Sequence, residues 1–441
     1  MITIAIDCGA SFLKGASFEA DGRVLDTMLV PAVRAAGEEG VESLLLPLQA
    51  RELLRVVRTM LAKLSAGEHR ARLCIANEMH GFLLTDAAGE PQMDYLSWQR
   101  SFGTLPVEGE TAVSILAQDC ADAVSRTGMP LRGSLPSANL LHLFQSGILE
   151  RMTGELWFCT LGDYILRALS GKAVFTHPTN AAASGLYDLE REDWSTPLVR
   201  TATGGRIRFP QVGGSPVSFA LDGVEYEALP AVGDQQAALC GAGLCRPGQL
   251  SFNLGTGAQV SVVTDDLSRS ECVQIRPYLF GGHIRTLPHL PSGRALNVYI
   301  RFLQDILLRF SMTLDENYIW QVFLDAAASA EGKCFEADMS FFENPCSERV
   351  TGLLAGFEEH GFDLGTLASS ILHAMARNFL WAAEQVRMPG QSVEELLFSG
   401  GVARRIGGIR TKIAAGYPAA KVCVAENETL RGLWQYGTHG F

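Results

Sequence analysis

A strand-like run from Ile2 to Ile6 opens the chain and leads into Asp7-Cys-Gly9-Ala-Ser11-Phe-Leu-Lys14, followed by a second β-rich run over Gly15–Phe18. The same plan returns half a chain later. Leu250 to Leu254 gives Ser-Phe-Asn253-Leu-Gly255-Thr256-Gly257, and Val260–Thr264 follows. Placing Asp7 on Asn253 puts Gly9 on Gly255, so each segment predicts a β-hairpin with glycine at its tip. A repeat at this distance implies a duplicated domain, because solenoid periods are far shorter. Helical spacing of apolar residues marks Arg51–Leu64 through Leu53, Leu54, Val57, Met60, Leu61 and Leu64. Asp163–Leu169, stopped by Gly171, and the long Leu364–Val386 follow the same rule. Strands alternating with helices predict an α/β protein. The boundary is placed near Val232, giving domains 1–232 and 233–441.

The bulk numbers sharpen this picture. At 441 residues, two domains are expected. Hydrophobic residues make up 47% and charged residues 19%, as in a well-packed globular chain. Lys+Arg total 36 and Asp+Glu 48, so 36 − 48 = −12, a field that repels nucleic acid and anionic membranes. An anionic ligand must then be met by local dipoles, a metal ion or a few placed cations. The N-terminal run lacks the basic and long apolar regions of a signal peptide, and no apolar stretch reaches the roughly 18 residues of a membrane span. Ten scattered cysteines without a CxxC pair are expected to be core thiols in a reducing cytoplasm.

Several segments carry candidate chemistry. In the first hairpin, Gly9 lets backbone N–H groups approach an anion, Ser11 and Lys14 can meet phosphate oxygens, and Asp7 can hold Mg²⁺ through water. An ordinary Asp-x-Gly hairpin gives the same letters, and no GxxxxGK[ST] pattern occurs. The second turn, Gly255-Thr256-Gly257, turns the balance toward a grip on a polyphosphate. Gly233-Asp234-Gln235-Gln236 precedes the helical Ala237–Leu244, so Asp234 is read both as a helix cap and as a general base for a hydroxyl. Glu78-Met79-His80-Gly81 sits at a strand end, and Tyr95 to Arg100 adds Trp98 and Gln99, an aromatic face with an amide, as sugars require. Near the C-terminus, Ser399-Gly400-Gly401-Val-Ala403-Arg404 predicts a strand–turn–helix whose bare backbone suits a purine.

Taken together and in order, these segments resemble the FGGY carbohydrate kinases across the whole chain. Asp7-x-Gly9 to Lys14 and Asn253 to Gly257 are similar to that family's two phosphate motifs. Met79-His80-Gly81 and Trp98-Gln99 resemble its sugar-contacting segments. Gly233-Asp234 resembles its catalytic aspartate motif, continued by Gln235, and Ser399 to Arg404 its adenosine motif. Asn180 to Asp188 is similar to the small-residue stretch before a Leu-Tyr-Asp turn. The resemblance implies two ribonuclease-H-like domains, of the actin and hexokinase type, flanking a catalytic cleft. It implies ATP and Mg²⁺ as cofactors and a small sugar as partner, and leaves a homodimer open. The implied activity is transfer of the γ-phosphoryl to a ketose, with the Met-His-Gly and Gly-Asp-Gln-Gln-Ala segments pointing to the sedoheptulokinase and xylulokinase branch. Kinases of another ketose, a polyol or a sugar-like signal, and a nucleotide-driven switch or sugar sensor with little turnover, are the competing readings. Departures from the family pattern are Ala10 for Thr, Gly257 for Ser, Glu78 for Gln, and Asn139 and His142 for Lys and Trp.

Overall fold

The computed structural model describes residues 1–33, 44–45, 47–268, 272–330 and 332–439. The chain divides into two compact units. The first comprises Met1–Gly241, Ile275–His283 and Asn427–Phe441, and the second Ala242–Gln274 and Ile284–Glu426. The expected division at 232/233 therefore gives way to one at Gly241/Ala242, and two later segments return to the first unit. The cause is helix packing: Asp234–Gly241 lies against Glu428–His439. Gly241 and Gly432 sit where those two helices meet, and a Cβ on Gly432 would collide with the carbonyl of Ala237. Asp234 thus belongs to the first unit, not to the C-terminal domain assigned from the sequence.

In the first unit, β1 (Ile2–Cys8) is buried throughout and pairs antiparallel with β2 (Phe12–Phe18), which pairs with β3 (Val24–Pro31). On its other side β1 runs parallel to β4 (Arg70–Asn77). The sheet order is Val217–Leu221, Val224–Ala228, β4, β1, β2, β3, with the short strand Val232–Gly233 also parallel to β4. Helix α1 (Leu48–Leu64) buries Ala50, Leu53, Val57, Met60, Leu61 and Leu64, the face its spacing predicts. The helix Leu161–Ser170 starts at a Thr160/Asp163 capping box and stops at Gly171, whose φ of +63° suits a left-handed cap.

The second unit repeats the plan. Gln249–Leu254 pairs antiparallel with Ala258–Thr264 and parallel with Glu395–Ser399, which pairs parallel with Lys421–Val424. The helix Leu364–Val386 forms over the predicted span and packs its apolar positions into this unit's core. In both units a hairpin forms at the predicted glycine turn, and its first strand also has a parallel strand on the other side. Among the described residues, no helix is long and apolar enough to cross a membrane.

Candidate active site

Three parallel strands of the first unit end level with one another. Asp7 pairs with Ala76, Cys8 with Asn77, and Gly233 also with Asn77. Asp7 therefore stands one residue before the end of β1, Glu78 directly follows β4, and Asp234 directly follows Val232–Gly233. The carboxyl ends of parallel strands are where α/β sheets bind ligands, because chain reversals leave the strand tips accessible there. Adjacent strands lie about 4.8 Å apart, so carboxylates at these ends act on one another.

Their proton affinities show it. Burial pushes the Asp7 carboxyl up to about 6, against the attraction of Lys14 and with repulsion from Glu428. Lys14 faces Asp7 across the hairpin, Nζ to Oδ2 3.8 Å, with its own side chain half exposed. Burial also pushes Asp234 up to about 7; Asp7 and Glu78 add repulsion, while the Gln235 N–H (2.7 Å to Oδ1) and Arg276 oppose it. A carboxyl poised near 7 is matched to accepting a proton at neutral pH. Asp234 is the first residue of its helix, not the residue before it, and its carboxylate accepts from the adjacent N–H of Gln235.

The residues expected from the sequence to contact a sugar separate into those that border this cluster and those that build it. Trp98 donates its indole N–H to Glu78 Oε2 at 3.1 Å and keeps 44% of its surface exposed. Gln99 is exposed beside it and Met79 is buried. Gln235 Oε1 accepts from Arg276 Nη1 at 2.5 Å, and Arg276 Nη1 also lies 3.6 Å from Met79 Sδ. His80 takes a left-handed φ of +66°, and its Nδ1 donates to the Ala183 carbonyl at 2.7 Å. That ring nitrogen anchors backbone. A cavity of about 200 Å³ reaches from Cys8 and Gly9 past Glu78 and Tyr95 to Gln99 and Arg100.

Arg276 was missed by the sequence reading. It is only 4% exposed, and burial lowers its pKa to about 10, helped by repulsion from Arg132 and opposed by Asp234. The available signal was a cation inside Gln274–Pro277, a strand buried at every position. Asn139 and His142, the departures from the family signature, have local duties. Asn139 accepts from Gly103 N–H and donates to the Arg100 carbonyl, and His142 stacks on Phe102.

In the second unit, Gly255, Thr256 and Gly257 form the hairpin tip, with Gly255 N–H donating to Gly257 O at 3.2 Å. The Gly255 and Thr256 carbonyls accept from Gly293 and Arg294 N–H groups. Asn253 pairs with Ser399, so the tip is brought beside Gly400, Gly401 and the helix Gly401–Arg405. Gly400 has φ +88°, and a Cβ there would lie 2.5 Å from the Leu254 carbonyl, so only glycine fits. Arg404 N–H closes that helix onto the Gly400 carbonyl at 3.2 Å. In the first unit, Gly9 N–H donates to Phe12 O at 3.2 Å and Ser11 is exposed at the tip. Among the described residues, no group of three or more His, Cys, Asp or Glu side chains is placed to hold a metal ion.

Residues 2–220 match the model of the FGGY family of carbohydrate kinases, N-terminal domain. A glycerol kinase from Geobacter sp. (strain M21) is 27% identical over 269 residues, covering 58% of this chain and 53% of that protein. The chain thus spans about half the length of the curated relatives it matches. Among solved structures, xylulose kinase from Lactobacillus acidophilus is similar with a TM-score of 0.80 at 15% identity, over 99% of this chain and 89% of that one. Glycerol kinase from Plasmodium falciparum with ADP gives 0.76 at 13% identity, over 99% and 88%. These two likenesses carry the fold: α/β, two-domain, of the actin and hexokinase type. By its N-terminal half, residues 2–220, the chain belongs to the FGGY family of carbohydrate kinases.

Proposed function

We propose that this protein is an ATP-dependent carbohydrate kinase that transfers the γ-phosphoryl group to a hydroxyl of a neutral ketose or polyol. The observation that carries the reading is the level ending of three parallel strands at Asp7, Glu78 and Asp234, with Asp234 poised at about 7. Phosphoryl transfer asks for positioning and charge neutralisation more than for covalent chemistry. Asp234 orients the acceptor hydroxyl and takes its proton. Trp98 offers an apolar face, and Gln99 and Gln235 offer amides to the remaining hydroxyls; Met79 and His80 shape the strand end beneath them. Within the first unit, Gly9, Ser11 and Lys14 are proposed phosphate contacts; within the second, Gly255, Thr256 and Gly257 are proposed phosphate contacts and Gly400, Gly401 and Arg404 proposed adenosine contacts.

Mg²⁺, when bound, would neutralise phosphate charge. A single buried carboxylate, Asp7, suits an ion that keeps most of its waters and takes few protein ligands.

The repulsion among these carboxylates disfavours an anionic acceptor, which sets neutral sugars and polyols apart from sugar acids. The relatives named above act on glycerol and xylulose, both neutral, and the sedoheptulose or xylulose type remains our assignment. ADP release measured with sedoheptulose, xylulose, ribulose, glycerol and gluconate, each against a blank without acceptor, tests it. Stimulation by a neutral acceptor and none by gluconate is expected. Nucleotide binding with no acceptor above the blank would defeat the reading and favour a conformational switch.

A further inference from the structure

We infer that the short helix Pro178–Ala182 and its flanks form a positioning clamp for the reaction proposed above, with Thr179 and Asn180 setting where Asp234 and Glu78 stand. The segment is bonded to two of the three strand ends, those of β4 and of Val232–Gly233. Thr179 Oγ1 accepts from the N–H of Gly233, the residue before Asp234, at 3.1 Å. Asn180 Nδ2 donates at 2.9 Å both to Asn77 Oδ1 and to the Ala231 carbonyl. Asn77 in turn donates to the Glu78 carbonyl at 2.8 Å. The Ala183 carbonyl holds His80.

The clamp is itself fixed from behind. His177 Nδ1 lies 2.9 Å from Thr179 Oγ1 and 3.3 Å from Thr179 N, capping the helix. Burial lowers the pKa of His177 to about 3, so the ring is neutral and Nδ1 can accept from the threonine hydroxyl. That leaves the hydroxyl oxygen to accept from Gly233. Thr179, Asn180, Asn77 and His177 are all buried. Packing leaves the knot no slack, because a Cβ on Gly162 would strike both Ala231 and Asn77. A buried polar network costs more than an apolar one unless every member is paired, and what it contributes here is a fixed geometry. Misplacing a reacting group by about 1 Å can cost on the order of 100-fold in rate.

The experiment compares the wild-type chain with Thr179→Val, Thr179→Ser and Asn180→Asp. It follows steady-state kinetics with the best neutral acceptor and amide deuterium exchange over residues 231–235. Thr179→Val is expected to lower kcat by roughly 10- to 100-fold with the KM for ATP nearly unchanged, while Thr179→Ser, which keeps the hydroxyl, restores it. Exchange over 231–235 rises in Thr179→Val and Asn180→Asp, and stays at the wild-type level in Thr179→Ser. Wild-type kcat and exchange in Thr179→Val, or equal loss in the Val and Ser variants, would overturn the clamp. Should Thr179→Val not fold, the Asn180→Asp comparison carries the same two readouts. A wild-type chain without acceptor-dependent turnover defeats the kinase reading, and the exchange data then still judge the clamp.

Discussion

Arg276 donates to the side chain of Gln235 at 2.5 Å, although the two residues are 41 positions apart. Arg276 lies in Ile275–His283, a segment of the first unit, and Gln236 Nε2 donates to the Pro277 carbonyl of that segment at 3.3 Å from the same helix as Gln235. A cation is thereby buried beside the residue that follows the proposed base.

Arg276 lowers the proton affinity of Asp234, so its removal must raise it. In Arg276→Met the acid limb of the kcat/KM profile is expected to move to higher pH, and Arg276→Lys should hold it close to the wild-type position. An unmoved limb in the Met variant would show that the guanidinium serves packing alone. Glu78→Gln gives the opposite sign, because it removes a repulsion while leaving an oxygen for the Trp98 indole. Its acid limb should fall to lower pH.

Asp234→Asn keeps the shape of the side chain and deletes its basicity. Turnover is expected to drop by about 10²- to 10⁴-fold, the usual worth of a general base, with nucleotide affinity retained. Acceptor-dependent ADP release and a nucleotide-binding titration check this together. Near-wild-type turnover would take Asp234 out of the catalytic role.

Activity and stability should respond to pH in opposite directions. The folded-state pKa of Asp234, about 7, lies above the unfolded value of 3.8, so the native protein holds an extra proton between them. Asp7, at about 6, adds to the effect. Where the native state binds more protons, stability falls as pH rises, here across the window from about 4 to 7. Turnover, which needs Asp234 ionised, climbs toward and through pH 7. His177, held down at about 3, works in the opposite sense below about pH 6.5, so the test is the comparison with Asp234→Asn. The stability of the wild type relative to this variant should fall from about pH 4 to 7, and a flat or rising difference would contradict the assignment.

Gly400→Ala tests the nucleotide-side turn. With φ +88° and ψ 161°, Gly400 lies in a backbone region open essentially to glycine, where other residues pay roughly 1–3 kcal/mol. The added methyl also meets the Leu254 carbonyl. A lowered melting temperature with weakened nucleotide binding is expected; an unchanged melting temperature would mean that the backbone relaxes there without cost.

What the sequence determined by itself was local. Period-2 and period-3.6 apolar patterns marked both hairpins, α1 and the helix Leu364–Val386, because those periods follow from backbone geometry alone. The glycine turns and Asp234 stood out by residue type, although of these glycines only Gly400 takes a backbone angle that other residues avoid. Tertiary packing decided the rest. The division moved past Asp234 because Asp234–Gly241 packs on a helix from the far end of the chain, a pairing no local window contains. His80, expected at the sugar, was also given a backbone partner in the Ala183 carbonyl, and Arg276, invisible as a motif, became the partner of Gln235. Hydrogen bonds between segments distant in sequence depend on where each backbone has been carried, and only the folded chain sets that.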